Sequence, residues 1–494
     1  MSSRGVARML IGLTLLGTGS GCVGHRELTP VHSLSAGDFT RYVTVVESSG
    51  DRDEGRKGVE DGADLWVDLP LVLELAGASN LQIALARERL EEARARLDEA
   101  AVLWWPSIDV GPRYTKHEGR IQDTRGEVID ASRNAGFAGV VVHTTFDLAD
   151  AFYEPLAARR LVAAQTAAVA GQVNETLRDV ALGYVDLAAA TASLALAREA
   201  VSDATELLEL AEGFARTGEG LEADAARARS ELASRKRDVL RAEEKTLQAS
   251  VRLASLLHLE PTTRLRPRDD SVIPLRFFPA NSALGELLDR AFASRPELVE
   301  ARANVEAERE RQTMAARRPY WPELELAAAT GGFGGGDGSS FDDSGARGDL
   351  SVALVWRLEN LGCGDSARER AAASRLRQAE AAMLAVQDEV AGEVGQAYWE
   401  TTQRGEQLEL ARENLEASLQ SLDLNLRRIR AGEGLPIEAL QAIQAAAQAR
   451  DHHLEAIVDF NRSQFRLLHA VGDIASGEEG NGIGADRVPR TGND

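Results

Sequence analysis

Few side chains in this chain of 494 residues are arranged for covalent chemistry. His452 and His453 are adjacent, so on a helix they diverge and do not converge on one metal ion. The glycine-rich run 331–338 lacks a P-loop lysine and follows a strand pattern without opening a helix, so it reads as an exposed hairpin loop. What recurs is charge. Asp224 and Glu438 each lie six residues after a glycine, Gly218 and Gly432. Carboxylates gathered around an axis favour cations; singly, each is a solvated acid on a helix face, and in a chain with 78 acidic residues both readings stand. No enzyme signature survives.

Cys22 belongs to a different chemistry. Arg4 and Arg8 precede a short apolar run at 9–16 and small residues at 17–21, the order of an export signal too short to span a bilayer. Small residues before Cys22 resemble a bacterial lipoprotein signal, which implies removal of a signal peptide 1–21 and acylation of Cys22. Gly19 departs from that motif where leucine is preferred, so ordinary cleavage nearby is the alternative. Val23, where an aspartate would retain the protein, favours outer-membrane release by the same resemblance. Acylation leaves Cys363 unpaired; a Cys22–Cys363 disulfide is the alternative, and two cysteines at this spacing frame no metal site.

The elements that position these residues come from a duplication. A shift of 214 places Tyr184 on Tyr398, Leu194 on Leu408, Ala197, Arg198 and Glu199 on Ala411, Arg412 and Glu413, and Arg216 on Arg430. It also places Gly218, Glu219, Gly220 and Leu221 on Gly432, Glu433, Gly434 and Leu435 without a gap. Leu187, Leu194, Val201 and Leu208 recur every seventh residue, with Ala190, Ala197, Ala204 and Ala211 three positions after each, a seam for close helix packing. The second copy uses Leu408, Leu415, Leu422 and Ile429. Glycine accepts the left-handed conformation at a helix end, so each copy predicts a helical hairpin with a tight tip. Its ascending helix, about 65 residues, is about 100 Å long, the length of a duct.

Before each hairpin the period changes to two. Helices are expected over 71–103 and 284–318, ending at Trp104, Trp105 and Pro106 and at Tyr320, Trp321 and Pro322. Ile108, Val110, Pro112 and Tyr114 then alternate with polar residues, and a second strand is expected at 138–148 after a polar connection containing Gly119, Asp123, Gly126 and Asn134. The second copy has Leu324, Leu326 and Ala328, the glycine-rich stretch, then Leu350, Val352, Leu354 and Trp356. Each strand has about the 9 to 11 residues that cross a bilayer when tilted. Four cannot close a barrel, so a membrane reading requires several copies. Trp104, Trp105, Tyr320 and Trp321 stand where an aromatic girdle would meet the membrane surface; ordinary core at a helix-to-strand junction is the alternative.

Composition agrees with long packed helices, since 44% of residues are hydrophobic but only 5% aromatic. A net charge of −22 repels phosphate backbones, which argues against nucleic acid as a partner. The expected organisation is a signal (1–21), a lipidated flexible leader (22–62), and a first repeat (63–260) with a strand pair at 106–148 and a hairpin at 149–258. A non-helical crossover (261–283) leads to a second repeat (284–472), with strands at 322–358 and a hairpin at 365–471, and a disordered tail (473–494) follows. His258 and His469 read as repeat-related helix-end residues.

This order of parts resembles the bacterial outer-membrane efflux proteins, the TolC-like family, over nearly all of the mature chain. The resemblance implies a fold that is mainly α with a membrane β-barrel portion. It implies a homotrimer whose three sets of four strands form a 12-stranded β-barrel in outer-membrane lipid, over a trimeric α-barrel crossing the periplasm. It implies tips that meet a periplasmic adaptor coupled to an inner-membrane pump, with no cofactor. By the same resemblance Glu438 matches an acidic position at the tunnel constriction. Ile429 and Gly434 depart from a tyrosine and an arginine there, so the relative's closing network does not transfer. The resemblance makes Gly218, Glu219, Gly220, Leu221, Gly432, Glu433, Gly434 and Leu435 the adaptor-contact candidates; an efficient turn kept by duplication is the alternative. Type I protein secretion, or a periplasmic coiled-coil structural or adaptor protein without a pore, are the alternative readings, and the cargo is not named by the sequence.

Overall fold

The computed structural model describes residues 64–472, apart from 218–220, 270, 280, 339, 342 and 432–434. The expected signal, the leader with Cys22, the tail, and Gly218, Glu219, Gly220, Gly432, Glu433 and Gly434 lie outside the described residues. The first repeat runs β1 (Asp64–Val67), α1 (Leu69–Ser79), α2 (Leu81–Ala101), β2 (Ser107–Gln122), β3 (Val128–Asp147), α3 (Leu148–Thr217) and α4 (Glu222–Leu256). After β4 (Arg264–Pro267) the order returns as α5 (Leu284–Ser294), α6 (Pro296–Arg317), β5 (Glu323–Asp337), β6 (Asp343–Val355), α7 (Cys363–Arg430) and α8 (Pro436–Val471). The two hairpins join in one antiparallel sheet, β2-β3-β5-β6. A separate parallel pair, β1 with β4, is too short for its period to show in sequence.

Three sequence expectations need correction. Each single helix expected before the strands is two. Asn80 takes an extended backbone and its side chain accepts from Gln82 N at 2.8 Å, capping α2. Arg295 is extended because Pro296 follows it and excludes the helical conformation. The glycine run 331–338 is no loop, since Gly331–Gly336 pair with β3 as the outer part of β5. The polar connection is also mostly strand: Gly119 and Asn134 lie in β2 and β3, and the turn is confined to 123–127. The strands are consequently longer than expected, with 16, 20, 15 and 13 residues.

Both helix breaks receive the end of a returning hairpin arm. Asn80 Nδ2 donates to Leu256 O at 3.5 Å at the end of α4. In the second copy Arg295, almost fully buried, donates to His469 O at 3.1 Å and to Ala470 O, and Ser294 Oγ donates to Val471 O at 2.6 Å. These bonds satisfy the last carbonyls of α8, of which His469 O also accepts from Gly472 N at 2.9 Å. Arg295 also holds Glu393 of α7 at 2.8 Å, tying the junction together. Gly472 closes α8 in the left-handed conformation (φ 88), and its counterpart in the repeat is His258 (φ 56), not His469, which lies in the last turn of α8.

Packing follows the seven-residue lines. Leu187, Ala204, Ala211, Leu408, Leu422 and Ile429 are buried, and near the tips Leu207, Ala225, Leu426, Ile429, Ala439 and Ile443 join in one cluster. Ion pairs knit neighbouring helices: Arg160 to Glu306, Arg198 to Glu243, Arg450 to Asp203, and Arg462 to Asp186. The crossover backbone is held from α8. Buried Asn461 accepts from Leu275 N at 2.7 Å and donates to Ile273 O, and Gln464 accepts from Phe277 N.

His469 lines a cleft of about 540 Å³ with Arg178, Arg295, Glu300 and Glu393. Burial first, then the Arg178 and Arg295 cations, push its pKa down to about 3. The unfolded imidazole titrates near 6.5, so between about 6.5 and 3 the unfolded chain binds the proton and the folded chain does not. Stability from this group is therefore complete above pH 6.5 and falls as pH drops. Glu300, shifted up by burial in the same cleft, acts in the opposite direction at the acid end. Thermal melts of the helical signal should lose midpoint temperature between pH 6.5 and 4, and His469→Gln should flatten that slope; an unchanged slope contradicts the assignment.

Candidate membrane and tip surfaces

Residues opposite each other in an antiparallel sheet point to the same face, so the register defines two surfaces. One carries Phe146, Leu324 and Leu354, then Thr144, Leu326 and Val352, then Ile108, Val142, Ala328 and Leu350. It continues through Val110 and Val140 and Pro112 and Ala138 to Tyr114, Gly136 and Gly334. Val110 and Leu350 are each 75% exposed on it. From Phe146 to Gly136 the band covers about 33 Å of strand, or about 25 Å of height at a barrel-like tilt. Immediately beyond come Lys116, Glu118 and Arg120, paired as Lys116–Glu118 (2.8 Å) and Arg120–Asp130 (3.5 Å).

The other face is the more polar of the two. It holds the pairs His143–Asp109 (2.8 Å), Arg347–Asp349 (2.8 Å) and Arg357–Glu323 (3.0 Å). On this face Gly139 and Gly331 stand opposite each other. A Cβ on Gly139 would lie 2.3 Å from Thr330 O, and one on Gly331 would lie 2.4 Å from Ala138 O. Close approach of β3 and β5 therefore explains glycine here.

Aromatic side chains mark both ends of the apolar band. Trp105 (76%) and Tyr320 (79%) project at its helix end. Trp104 and Trp321 do more than project. Pro155 in α3 has no N–H to give to Ala151 O four residues back, and the Trp104 indole donates to that carbonyl at 3.1 Å. Trp321 packs its ring near Phe152 and Tyr153, at 5.8 and 6.1 Å. Below them Arg318 joins Asp147 (2.5 Å) and Asp150 (3.1 Å), and Asp147 also caps α3 by accepting from Ala149 N. Of the four rings, Trp104 and Trp321 contact α3 at the helix-to-strand junction, and Trp105 and Tyr320 stand exposed. At the far end Phe341 lies against Gly136 and Gly334 and faces Tyr114, ring centroids 6.2 Å apart. Sequence reasoning missed this second pair, because its seat exists only once Gly136 and Gly334 are in register. Asn134 fixes the Phe341 turn, donating to Gly338 O and Ser340 O and accepting from Gly336 N.

At the opposite end of the molecule, Leu221 and Leu435 are exposed and take the same extended conformation just before α4 and α8. Leu221 O accepts from Asp224 N, and Leu435 O accepts from Glu438 N, each at 3.0 Å. The tip carboxylates do not stand alone. Asp224 pairs with Arg227 at 3.0 Å and shares a small cleft with Ile437 and Leu440, while Glu438 Oε2 lies 3.3 Å from Arg428. Arg430 pairs with Glu206, linking α7 to α3 across the two hairpins. The i,i+3 spacing of Asp224 and Arg227 was readable in sequence; Arg428 and Arg430 needed the helix register. Ile429 is buried against Leu207 and Ile443.

The model of the outer membrane efflux protein family matches residues 72–257 and 287–473. Protein CyaE of Bordetella pertussis is 34% identical over 169 residues, a stretch covering 34% of this chain and 35% of CyaE, so the match spans about a third of that relative. Among solved structures, the outer-membrane channel OprN superposes with TM-score 0.69 at 23% identity, covering 82% of this chain and 89% of OprN. The CmeC outer membrane channel of Campylobacter jejuni gives TM-score 0.69 at 16% identity, covering 85% and 93%. The fold is that of these channels.

Trp104→Phe keeps the ring and removes the donor to Ala151 O. Urea unfolding should show a loss of about 1 kcal/mol, with Trp105→Phe close to neutral; equal effects contradict the distinct role of Trp104.

Proposed function

As the chain belongs to the outer membrane efflux protein family, we propose that it is the exit duct of a tripartite export system, passively conducting cargo from an inner-membrane pump through a periplasmic adaptor to the exterior. The observation that carries this reading is the sheet. Its apolar face is one bilayer high, and its outer edges on β2 and β6 have no strand partner among the described residues. Lipid supplies no hydrogen-bond partner for a strand edge, so the edges must pair with other copies. Three copies give the 12-stranded barrel of the family.

The shaft supports the same assembly. Leu240, Leu247 and Val251 form an exposed stripe on α4, and Trp399, Leu410 and Leu424 form one on α7. Arg237 and Arg241 flank the first, and Glu409, Glu413 and Glu416 accompany the second. Different surfaces that fit each other make a head-to-tail ring. The repeated tips, Gly218–Glu219–Gly220–Leu221 and Gly432–Glu433–Gly434–Leu435, meet the adaptor coiled coil in this reading, and acylated Cys22 anchors the leader in the outer membrane. Glu438 and Asp224 lie at the constriction, each with its charge partly offset by its arginine.

The protein should fractionate with outer membranes as a trimer on chemical cross-linking, and Leu247→Asp should yield monomer; a wild-type monomer in the soluble fraction ends the proposal. In planar bilayers Glu438→Gln should lower cation preference, and Arg428→Gln should raise it. Unchanged selectivity in both variants removes Glu438 from the constriction.

A further inference from the structure

The polar face of the sheet carries two phenylalanines that its pattern does not require. Phe137 and Phe333 are direct partners in the β3–β5 register, so their Cβ atoms are about 5 Å apart on one face. The other large apolar side chains of that face are aliphatic: Val141, Val355, Ile121 and Ile129. The rows beside them are Ala135 with Gly335 and Gly139 with Gly331, which leave the rings without side-chain cover along both strands. Phe137 leans onto Gly139, where a Cβ would meet its ring Cζ at 2.8 Å. Across the strands the row is closed by Arg113, the β2 partner of Phe137, and by Gly345 on β6. The Arg347 guanidinium lies over the Phe333 ring at 4.9 Å and is held there by Asp349. Arg113 has no ion pair among the described residues, and neither does Arg133, four residues from Phe137 on the same face. Asp343 and Asp337 stand one and two rows nearer the hairpin turn, and Phe333, Arg133, Asp337 and Asp343 line a shallow groove.

We propose that Phe137 and Phe333, flanked by Arg113 and Arg347, form a contact site on the polar face of the sheet for planar aromatic anions leaving through the duct. The inference rests on the exit-duct reading, which turns this face toward the lumen. A flat ring stacks on the accessible part of this half-buried phenyl pair, and its anionic group meets Arg113 in the same row. Threefold repetition would place three such sites around the barrel. A passing solute would be held weakly and exchanged from one site to the next.

Planar-bilayer recordings of the full-length protein test this with naphthalenesulfonate added at the barrel side. Methanesulfonate and naphthylmethylammonium serve as the non-aromatic and the cationic comparisons. Naphthalenesulfonate should reduce the current. Phe137→Leu with Phe333→Leu should raise its half-blocking concentration about tenfold, and Arg113→Gln should raise it as well. Unblocked conductance equal to wild type in each variant shows that the barrel is intact. Equal block by methanesulfonate, stronger block by naphthylmethylammonium, or an unchanged half-blocking concentration in the double variant overturns the site. A conducting pore that naphthalenesulfonate does not block overturns the site alone; absence of any conductance overturns the duct reading as well.

Discussion

The backbone N–H and C=O groups along the outer edges of β2 and β6 are the constraint from which the rest of the architecture follows. Among the described residues those groups have no strand to bond, and the apolar face beside them excludes water as a substitute. In the exit-duct reading further copies supply the partners, and that requirement extends down the molecule because β3 runs into α3 without a linker. β3 ends at Asp147 and α3 begins at Leu148, with the Asp147 carboxylate serving both as helix cap and as partner of Arg318. The angle at which a strand leaves the sheet is thereby imposed on a helix about 100 Å long.

Periodicity over long stretches was legible, and pairing between distant residues was not. The seven-residue lines through Leu187 and Leu408 and the alternation at Ile108 and Leu350 each repeat a local pattern often enough to fix element and face. The glycine run 331–336 misled for a physical reason. In a single chain, glycine signals a turn, but here it signals the close approach of β3, which only the register with Gly139 discloses. The helix breaks at Asn80 and Arg295 were hidden by continuous helix-forming composition on either side. The hint at Pro296 was present, but what the break accomplishes, receiving the end of α8, is a contact across the whole second repeat.

The duplication fixed a frame and then diverged within it. At equivalent breaks, one copy uses Asn80 with a single long bond to Leu256, and the other uses a buried Arg295 joined to two carbonyls and two carboxylates. At equivalent tips, Asp224 takes its arginine from its own helix and Glu438 takes one from the preceding helix. Backbone geometry, set by Leu221 and Leu435, is what the two copies kept, whereas the side chains that neutralise charge were chosen separately.

The two hairpins of the sheet differ in reach. β2 and β3 remain paired as far as Gln122 and Val128, eight residues of β2 past Tyr114, while β5 and β6 stop pairing at Gly335 and Asp343, beside the aromatic pair. Above the hydrocarbon, the wall of a threefold ring would be notched, with three stiff ribbons standing about 20 Å above the water boundary and three low gaps between them. Anything approaching from outside would touch the ribbons first, and solutes would spill sideways through the gaps.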